Sequence, residues 1–168
     1  ISCNGGEMPE KTVQFPSIKD VPASKWENLA QKKIYFGHQS VGNNIMDGVN
    51  DLMKEYPQIK LNIAKTSSPS EFSNPIFAHE TNLGKNNEPI SKISAFASFI
   101  EKGIGDVADI AFLKFCFVDV DAGTDFQKLF ADYKSTMTKL SKEYPKTTFI
   151  HFTVPLLRKT KPTLKTWI

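Results

Sequence analysis

The chain has 168 residues, of which 40% are hydrophobic and 23% are charged, and its formal net charge is +3. This length is typical of one globular domain, and so small a charge, from scattered Lys and Arg, argues against a nucleic-acid-binding surface. No apolar stretch in the sequence approaches the roughly 20 residues that a membrane-spanning helix needs.

The first 25 residues are polar and contain Gly-Gly and several prolines, so we predict that they form a tether. Residues 1–6, Ile-Ser-Cys-Asn-Gly-Gly, resemble the start of a bacterial lipoprotein, in which a small residue precedes the Cys that is acylated. This interpretation predicts a bacterial cell-envelope location, with a lipid on Cys3 as the only membrane attachment. The alternative is an incidental Cys3. Cys116 lies in an apolar run, and we predict it to be a small core residue.

Regular patterning begins at Trp26, and we predict one α/β domain over residues 26–168. Residues 32–36 form a short apolar run ended by a glycine, which is typical of a buried strand. In residues 45–56 apolar side chains recur every three or four positions, which predicts an amphipathic helix that Pro57 stops.

A second strand is predicted at residues 60–65, where apolar and polar residues alternate. The next segment, residues 66–89, is rich in Ser, Asn and Pro, and we predict a long loop of the kind that is usually functional or disordered. Residues 90–104 again show helical periodicity, and two glycines near residue 104 close this helix.

The nearly continuous apolar run at residues 109–118 predicts a central strand that is covered on both faces. Thr124 and Gln127 have the spacing of a capping box, and a strong apolar stripe follows up to Tyr144. A fourth strand is predicted at residues 147–154. The alternation of strands and helices predicts a parallel sheet with right-handed crossovers. A sheet of only four strands would be incomplete, and its open edge favours a homodimer.

Ligands of such sheets bind at the carboxyl ends of the strands, which directs attention to Ser40. Its hydroxyl lies in a strand-to-helix turn, beside helix amides that can stabilise an oxyanion. As a nucleophile it needs a base, since a free hydroxyl is barely ionised at neutral pH. The alternative is a serine that merely caps the following helix.

Residues 36–45, Phe-Gly-His-Gln-Ser-Val-Gly-Asn-Asn-Ile, resemble the first block of the SGNH (GDSL-like) hydrolases. Residues 109–119 are similar to the third strand of that family, which runs into a Gly-x-Asn-Asp block. The resemblance implies a three-layer α/β/α sandwich with a flavodoxin-like parallel sheet. It also implies a serine esterase or deacetylase acting on a small acyl ester or an acetylated glycan, with Ser40 as the nucleophile and the Gly84 amide in the oxyanion hole.

The sequence departs from the family pattern at several positions. Cys116 and Val118 stand at the glycine and the asparagine of the third block, and only Asp119 is kept. The Asp-x-x-His block, which carries the base, does not occur. The resemblance therefore leaves the esterase beside an alternative, a non-catalytic envelope module of the same fold that binds glycan or protein.

The base remains open among a histidine beyond residue 168, His38 and His79, whereas His151 is predicted to be buried. Asn44 or Asn86 could replace the missing oxyanion donor. Two further side chains complete the predicted site: Lys114, which is flanked by apolar residues and needs a partner, and Asp119 as its counter-ion. The sequence has neither metal-ligand spacing nor a nucleotide-binding motif, so no cofactor is predicted.

Overall fold

The computed structural model describes residues 17–155. Within that range five strands form one all-parallel sheet with the order β2-β3-β1-β4-β5. The strands are β1 (Lys33–Gly37), β2 (Ile63–Lys65), β3 (Ile76–Glu80), β4 (Ile110–Leu113) and β5 (Thr148–Ile150). The prediction of a parallel α/β fold is confirmed. The lipoprotein interpretation falls on residues outside the described range.

The predicted number of strands was wrong, because β3 lies inside the segment that was predicted to be a loop. It pairs with β1 over five residues and separates β1 from β2. If β2 is set aside as an added edge strand, the remaining order is that of the first four strands of a flavodoxin-like sheet. The strand predicted at residues 109–118 ends at Leu113, and the chain then turns across the carboxyl edge.

Three of the helices in the described range were predicted and have shifted ends, whereas the first helix, which begins inside the predicted tether, and a single turn after Ile104 were not predicted. The helices are α1 (Ala23–Ala30), α2 (Gly42–Glu55), α3 (Pro89–Phe99), the single turn α4 (Gly105–Val107) and α5 (Phe126–Glu143). A π turn at Ile100–Ile104 joins α3 to α4, and 3-10 turns occur at Ile18–Asp20 and Pro69–Ser73. No helix in residues 17–155 is long and apolar enough to span a membrane.

The start of α5 corrects the predicted capping box. Asp125, not Thr124, is the N-cap, and its carboxylate accepts a hydrogen bond from the Lys128 amide at 2.9 Å. The Thr124 hydroxyl instead accepts a bond from the Asp121 amide, which tightens the preceding turn. Asp is as good an N-cap as Thr because its oxygen also reaches the amides of the first helical turn.

Alternation along the strands divides the core between the two faces of the sheet. On one face, Tyr35 stacks on Phe96 of α3 in a core that includes Leu140 of α5. On the other face, the ring of Phe36 stacks on Phe112 with a centroid distance of 4.8 Å. On this second face, Gly42 at the start of α2 lies against the His38 ring, so helices are found on both sides of the sheet. Cys116 is buried, as predicted.

Candidate functional site

Ser40 lies in the turn between β1 and α2, at the carboxyl edge of the sheet. Its backbone φ is +51°, a left-handed conformation that is uncommon for a residue with a side chain and is often found at functional sites. The side chain is exposed and makes no capping hydrogen bond to α2, so the helix-capping alternative is wrong. Ser40 contributes to the helix start through its backbone, whose carbonyl accepts the Asn43 amide at 2.8 Å. Its hydroxyl therefore remains free to meet a ligand.

Behind this turn, two histidines form a pair. Nε2 of His38 lies 3.0 Å from Nδ1 of His79, so that one imidazole donates an N–H to the other, and the rings are nearly parallel. His79 belongs to β3, and it therefore cannot fold over the site from a loop. The pairing of β1 with β3, which the sequence did not reveal, brings the two residues together.

The environment keeps both imidazoles neutral. His38 is completely buried, and this burial, followed by the charges of His79 and Lys114, lowers its pKa to about 4. The pKa of His79 is also lowered, first by burial and then by the charge of Lys65. Glu80 acts in the opposite direction on both histidines but does not outweigh burial. At neutral pH the pair is therefore uncharged.

Gly42 allows α2 to begin directly against the His38 ring. A Cβ at this position would lie 2.1 Å from His38 Nδ1, so we expect Gly42→Ala to displace the imidazole and to lower the free energy of unfolding by about 2–3 kcal/mol. Gly48→Ala in the same helix is the matched control. Its Cβ meets nothing within 4 Å, and we expect a gain of about 0.5–1 kcal/mol. Urea unfolding of both variants checks this, and equal stabilities would contradict it.

The predicted pairing of Lys114 with Asp119 was wrong. Asp119 Oδ2 bonds the ammonium of Lys92 at 2.5 Å, and both side chains are fully buried. The same carboxylate accepts the amides of Cys116 at 2.6 Å and Asn87 at 3.1 Å. The carboxylate thus lies on the α3 side of the sheet, where Lys92 comes from the first turn of that helix. Sequence reasoning missed Lys92 although it stands four residues before the buried Phe96, on the same helix face.

Lys114 itself has no hydrogen-bond partner for its ammonium among residues 17–155. Its side chain is 6% exposed. Burial is the main cause that lowers its pKa, and the charge of Lys92 adds to this, whereas Asp119 acts in the opposite direction without outweighing burial. Its backbone amide donates to the Gly37 carbonyl at 3.1 Å, which places the residue beside the end of β1.

The segment that contains Gly84 runs along the same edge as Ser40. The Leu83 amide points to the His38 carbonyl at 3.4 Å, so the two turns are neighbours. Gly84 has a φ of +61°, and a Cβ there would come within 2.6 Å of the Lys92 nitrogen. However, the Gly84 amide already donates to the Asn82 carbonyl at 3.0 Å, so in this conformation it is not free for an oxyanion.

The two predicted asparagines differ in their surroundings. Asn86 uses its carbonyl oxygen to accept the Lys92 ammonium at 2.9 Å, which fixes the side chain and leaves its amide nitrogen available. Asn44 lies exposed in the first turn of α2, four residues after Ser40. Both remain able to donate toward a ligand at this edge.

His151 lies outside this cluster and corrects another prediction. It is exposed rather than buried, and its Nδ1 lies 2.7 Å from the hydroxyl of Tyr133. It lines two adjoining apolar grooves of about 490 and 440 Å³ along α5. Neither groove is lined by Ser40 or His38, so these two grooves do not coincide with the polar cluster.

Comparisons of the chain with protein-family models, with curated proteins and with solved structures give no significant match. Among residues 17–155, no group of three or more His, Cys, Asp or Glu side chains could hold a metal ion. What the structure defines is a flavodoxin-like α/β domain with a polar cluster at the carboxyl edge of its sheet. The SGNH resemblance rests on the sequence motifs alone.

Proposed function

We propose that the protein is an SGNH-like serine hydrolase that cleaves acyl esters, such as the acetyl groups of a polysaccharide, in the bacterial cell envelope. The observation that carries the proposal is the exposed Ser40 hydroxyl on a left-handed strand-to-helix turn. That turn lies at the carboxyl edge of a parallel sheet, where ligands of this architecture bind.

In the proposed reaction, Ser40 Oγ attacks the acyl carbonyl carbon and transfers its proton to a base. The ester C–O bond then breaks, and the alcohol leaves with that proton. Water next attacks the acyl-enzyme, releases the carboxylic acid and restores the hydroxyl. The base in this proposal is His38, which is neutral at pH 7 and whose Nδ1 has no hydrogen-bond partner within residues 17–155. A histidine beyond residue 168 is the other candidate.

The negative charge on the carbonyl oxygen requires donors. The Ser40 backbone N–H donates to no group within residues 17–155, so this N–H is available as the first donor to the oxyanion. The side-chain amides of Asn44 and Asn86 are the candidates for the second, since the Gly84 amide is engaged with Asn82.

The test is hydrolysis of 4-nitrophenyl acetate by the full chain and by Ser40→Ala. We expect the variant to lose at least about 1,000-fold in kcat/KM, because the nucleophile is gone. Ser135→Ala, which removes an exposed hydroxyl from α5, is the matched control and should retain full activity. A sulfonyl fluoride should label the peptide that contains Ser40. Equal rates for wild type and Ser40→Ala would exclude this serine from the mechanism.

A second function is favoured by one specific observation. His38 Nε2 is bonded to His79, and Nδ1 faces Gly42, so within residues 17–155 no imidazole is bonded to the Ser40 hydroxyl. The same arrangement suits a non-catalytic envelope module that binds glycan or protein. Glycan binding without hydrolysis, unchanged in Ser40→Ala, would select this function over the first.

A further inference from the structure

Four basic side chains form a row across four neighbouring strands at the carboxyl edge. Lys65 of β2 is in register with His79 of β3, and His79 bonds to His38, which follows β1. Lys114 follows β4, whose last residue is in register with the last residue of β1. We call these four residues the basic row.

The four side chains share one face of the sheet. Phe36 stacks on Phe112, and the His38 ring lies against Phe36, so side chains two positions further on point the same way. By that alternation Lys114 lies on the face of Phe112. Its charge accordingly contributes to the lowered pKa of His38. The first residue of α2 packs on His38 from above, and the amino end of this helix adds further positive potential.

Two acidic groups act on the row electrostatically, Glu80 on the histidines and Asp119 on Lys114, but their short hydrogen bonds go to other residues. Glu80 on β3 accepts the Ser67 hydroxyl at 3.1 Å and the Asn82 amide at 2.8 Å. Asp119 is paired with Lys92. Cys116 forms no disulfide within residues 17–155. Within residues 17–155, no carboxylate forms an ion pair with a member of the basic row, and the buried Lys114 ammonium has no hydrogen-bond partner.

A buried ammonium that has no ion-pair partner lowers the stability of the fold. The two neutral imidazoles beside it can each take up a proton, which would add positive charge to the row. The row also has an open end, because Lys65 is exposed and His79 is partly exposed, whereas His38 and Lys114 are buried. From this arrangement we propose that the basic row binds a tetrahedral oxyanion, of the phosphate or sulfate class, which pairs with Lys114 and with the histidine pair. The inference does not depend on ester hydrolysis.

Binding of the anion is coupled to proton uptake. An anion beside His38 and His79 favours their charged forms, so the complex holds protons that the free protein has released at the same pH. Affinity therefore rises as the pH falls. Sulfate is the suitable probe, because it keeps its double charge over this range, and any pH dependence then belongs to the protein. We expect its Kd to be about tenfold lower at pH 5.5 than at pH 7.5.

The experiment follows the imidazole proton resonances of the full chain by NMR during a sulfate titration, with chloride holding the ionic strength constant. The chain has three histidines, so His151 serves as the internal reference. We expect the resonances of His38 and His79 to shift and that of His151 to stay. A titration with glycerol phosphate at pH 5.5 separates the two sources of the anion. If glycerol phosphate binds more tightly than inorganic phosphate, the natural ligand is a larger molecule that carries the anion. If glycerol phosphate binds more weakly, the natural ligand is the free ion.

Lys114→Met is the decisive variant. It keeps the length of the side chain and removes an unpartnered buried charge, so it should fold and resist urea at least as well as wild type. We expect it to lose the sulfate response, whereas Lys102→Met, at an exposed position, should retain it. An unchanged response in Lys114→Met, an equal shift of His151, or no response in wild type would each overturn the proposal.

Discussion

Asp119→Asn is expected to lower the free energy of unfolding by about 3–5 kcal/mol, because it leaves the Lys92 ammonium buried without an opposite charge. The two side chains are fully buried and 2.5 Å apart. Asparagine keeps the size of the side chain, so the loss reports charge rather than a cavity. Urea unfolding followed by circular dichroism at pH 7 measures the effect.

The matched control breaks an ion pair of similar length at the surface. Lys139 and Glu101 are 2.7 Å apart, but their side chains are 57% and 40% exposed. Glu101→Gln should therefore cost less than about 1 kcal/mol. Adding Lys92→Met to Asp119→Asn should restore part of the stability, since no buried charge is then left unpaired. If Asp119→Asn costs no more than Glu101→Gln, the buried pair contributes nothing particular to the fold.

Acidification is expected to remove about 3 kcal/mol of stability between pH 7 and pH 4 through His38 alone. Its pKa in the folded protein is about 4, below the ordinary 6.5. Between these values the unfolded chain binds a proton that the folded protein excludes, so the free energy of unfolding falls as the pH falls. The stability is complete above about pH 6.5 and declines toward pH 4. His79, whose pKa is also lowered, adds to the same slope.

Urea midpoints at pH 7 and pH 4.5, in chloride buffers free of oxyanions, check this dependence. His38→Gln should be less stable than wild type at pH 7, because its bond to His79 is lost, and it should show a flatter pH response. His151→Gln, at an exposed position, should keep the wild-type slope. A pH slope in His38→Gln that equals that of wild type would contradict the assignment.

The elements that the sequence predicted well have strong local signals. The β4 run is apolar, and the α5 stripe repeats over five turns, so pattern alone located both. β3 escaped because Ile76–Glu80 is short, follows a polar segment, and contributes only Ile76 and Ala78 as fully buried residues. A short strand of this kind is determined by its pairing with β1, and the sequence pattern does not display that pairing.

The candidate site was predictable to the same extent. Ser40 was located by the strand, glycine and helix around it. The contact between His38 and His79 requires β3 to pair with β1, and because β3 was not predicted, this contact was not predicted either. Proximity in sequence favoured Asp119 as the partner of Lys114, but Asp119 pairs with Lys92, and Nζ of Lys114 makes no hydrogen bond within residues 17–155. Lys92 is 27 positions from Asp119, and only the docking of α3 brings them together.

The Gly84 segment is held in a fixed conformation, and this affects how a ligand can approach Ser40. Gly84 lies against the backbone of Lys92, and Asn86 and Asn87 are hydrogen-bonded to the buried Lys92–Asp119 pair. An outward movement of this segment would therefore leave two buried charges with fewer hydrogen bonds, which is costly. A ligand that reaches Ser40 therefore meets a fixed surface on the side of the Gly84 segment. Selectivity among ligands would then depend on how well each ligand fits this preformed surface, and not on a loop that closes over the ligand.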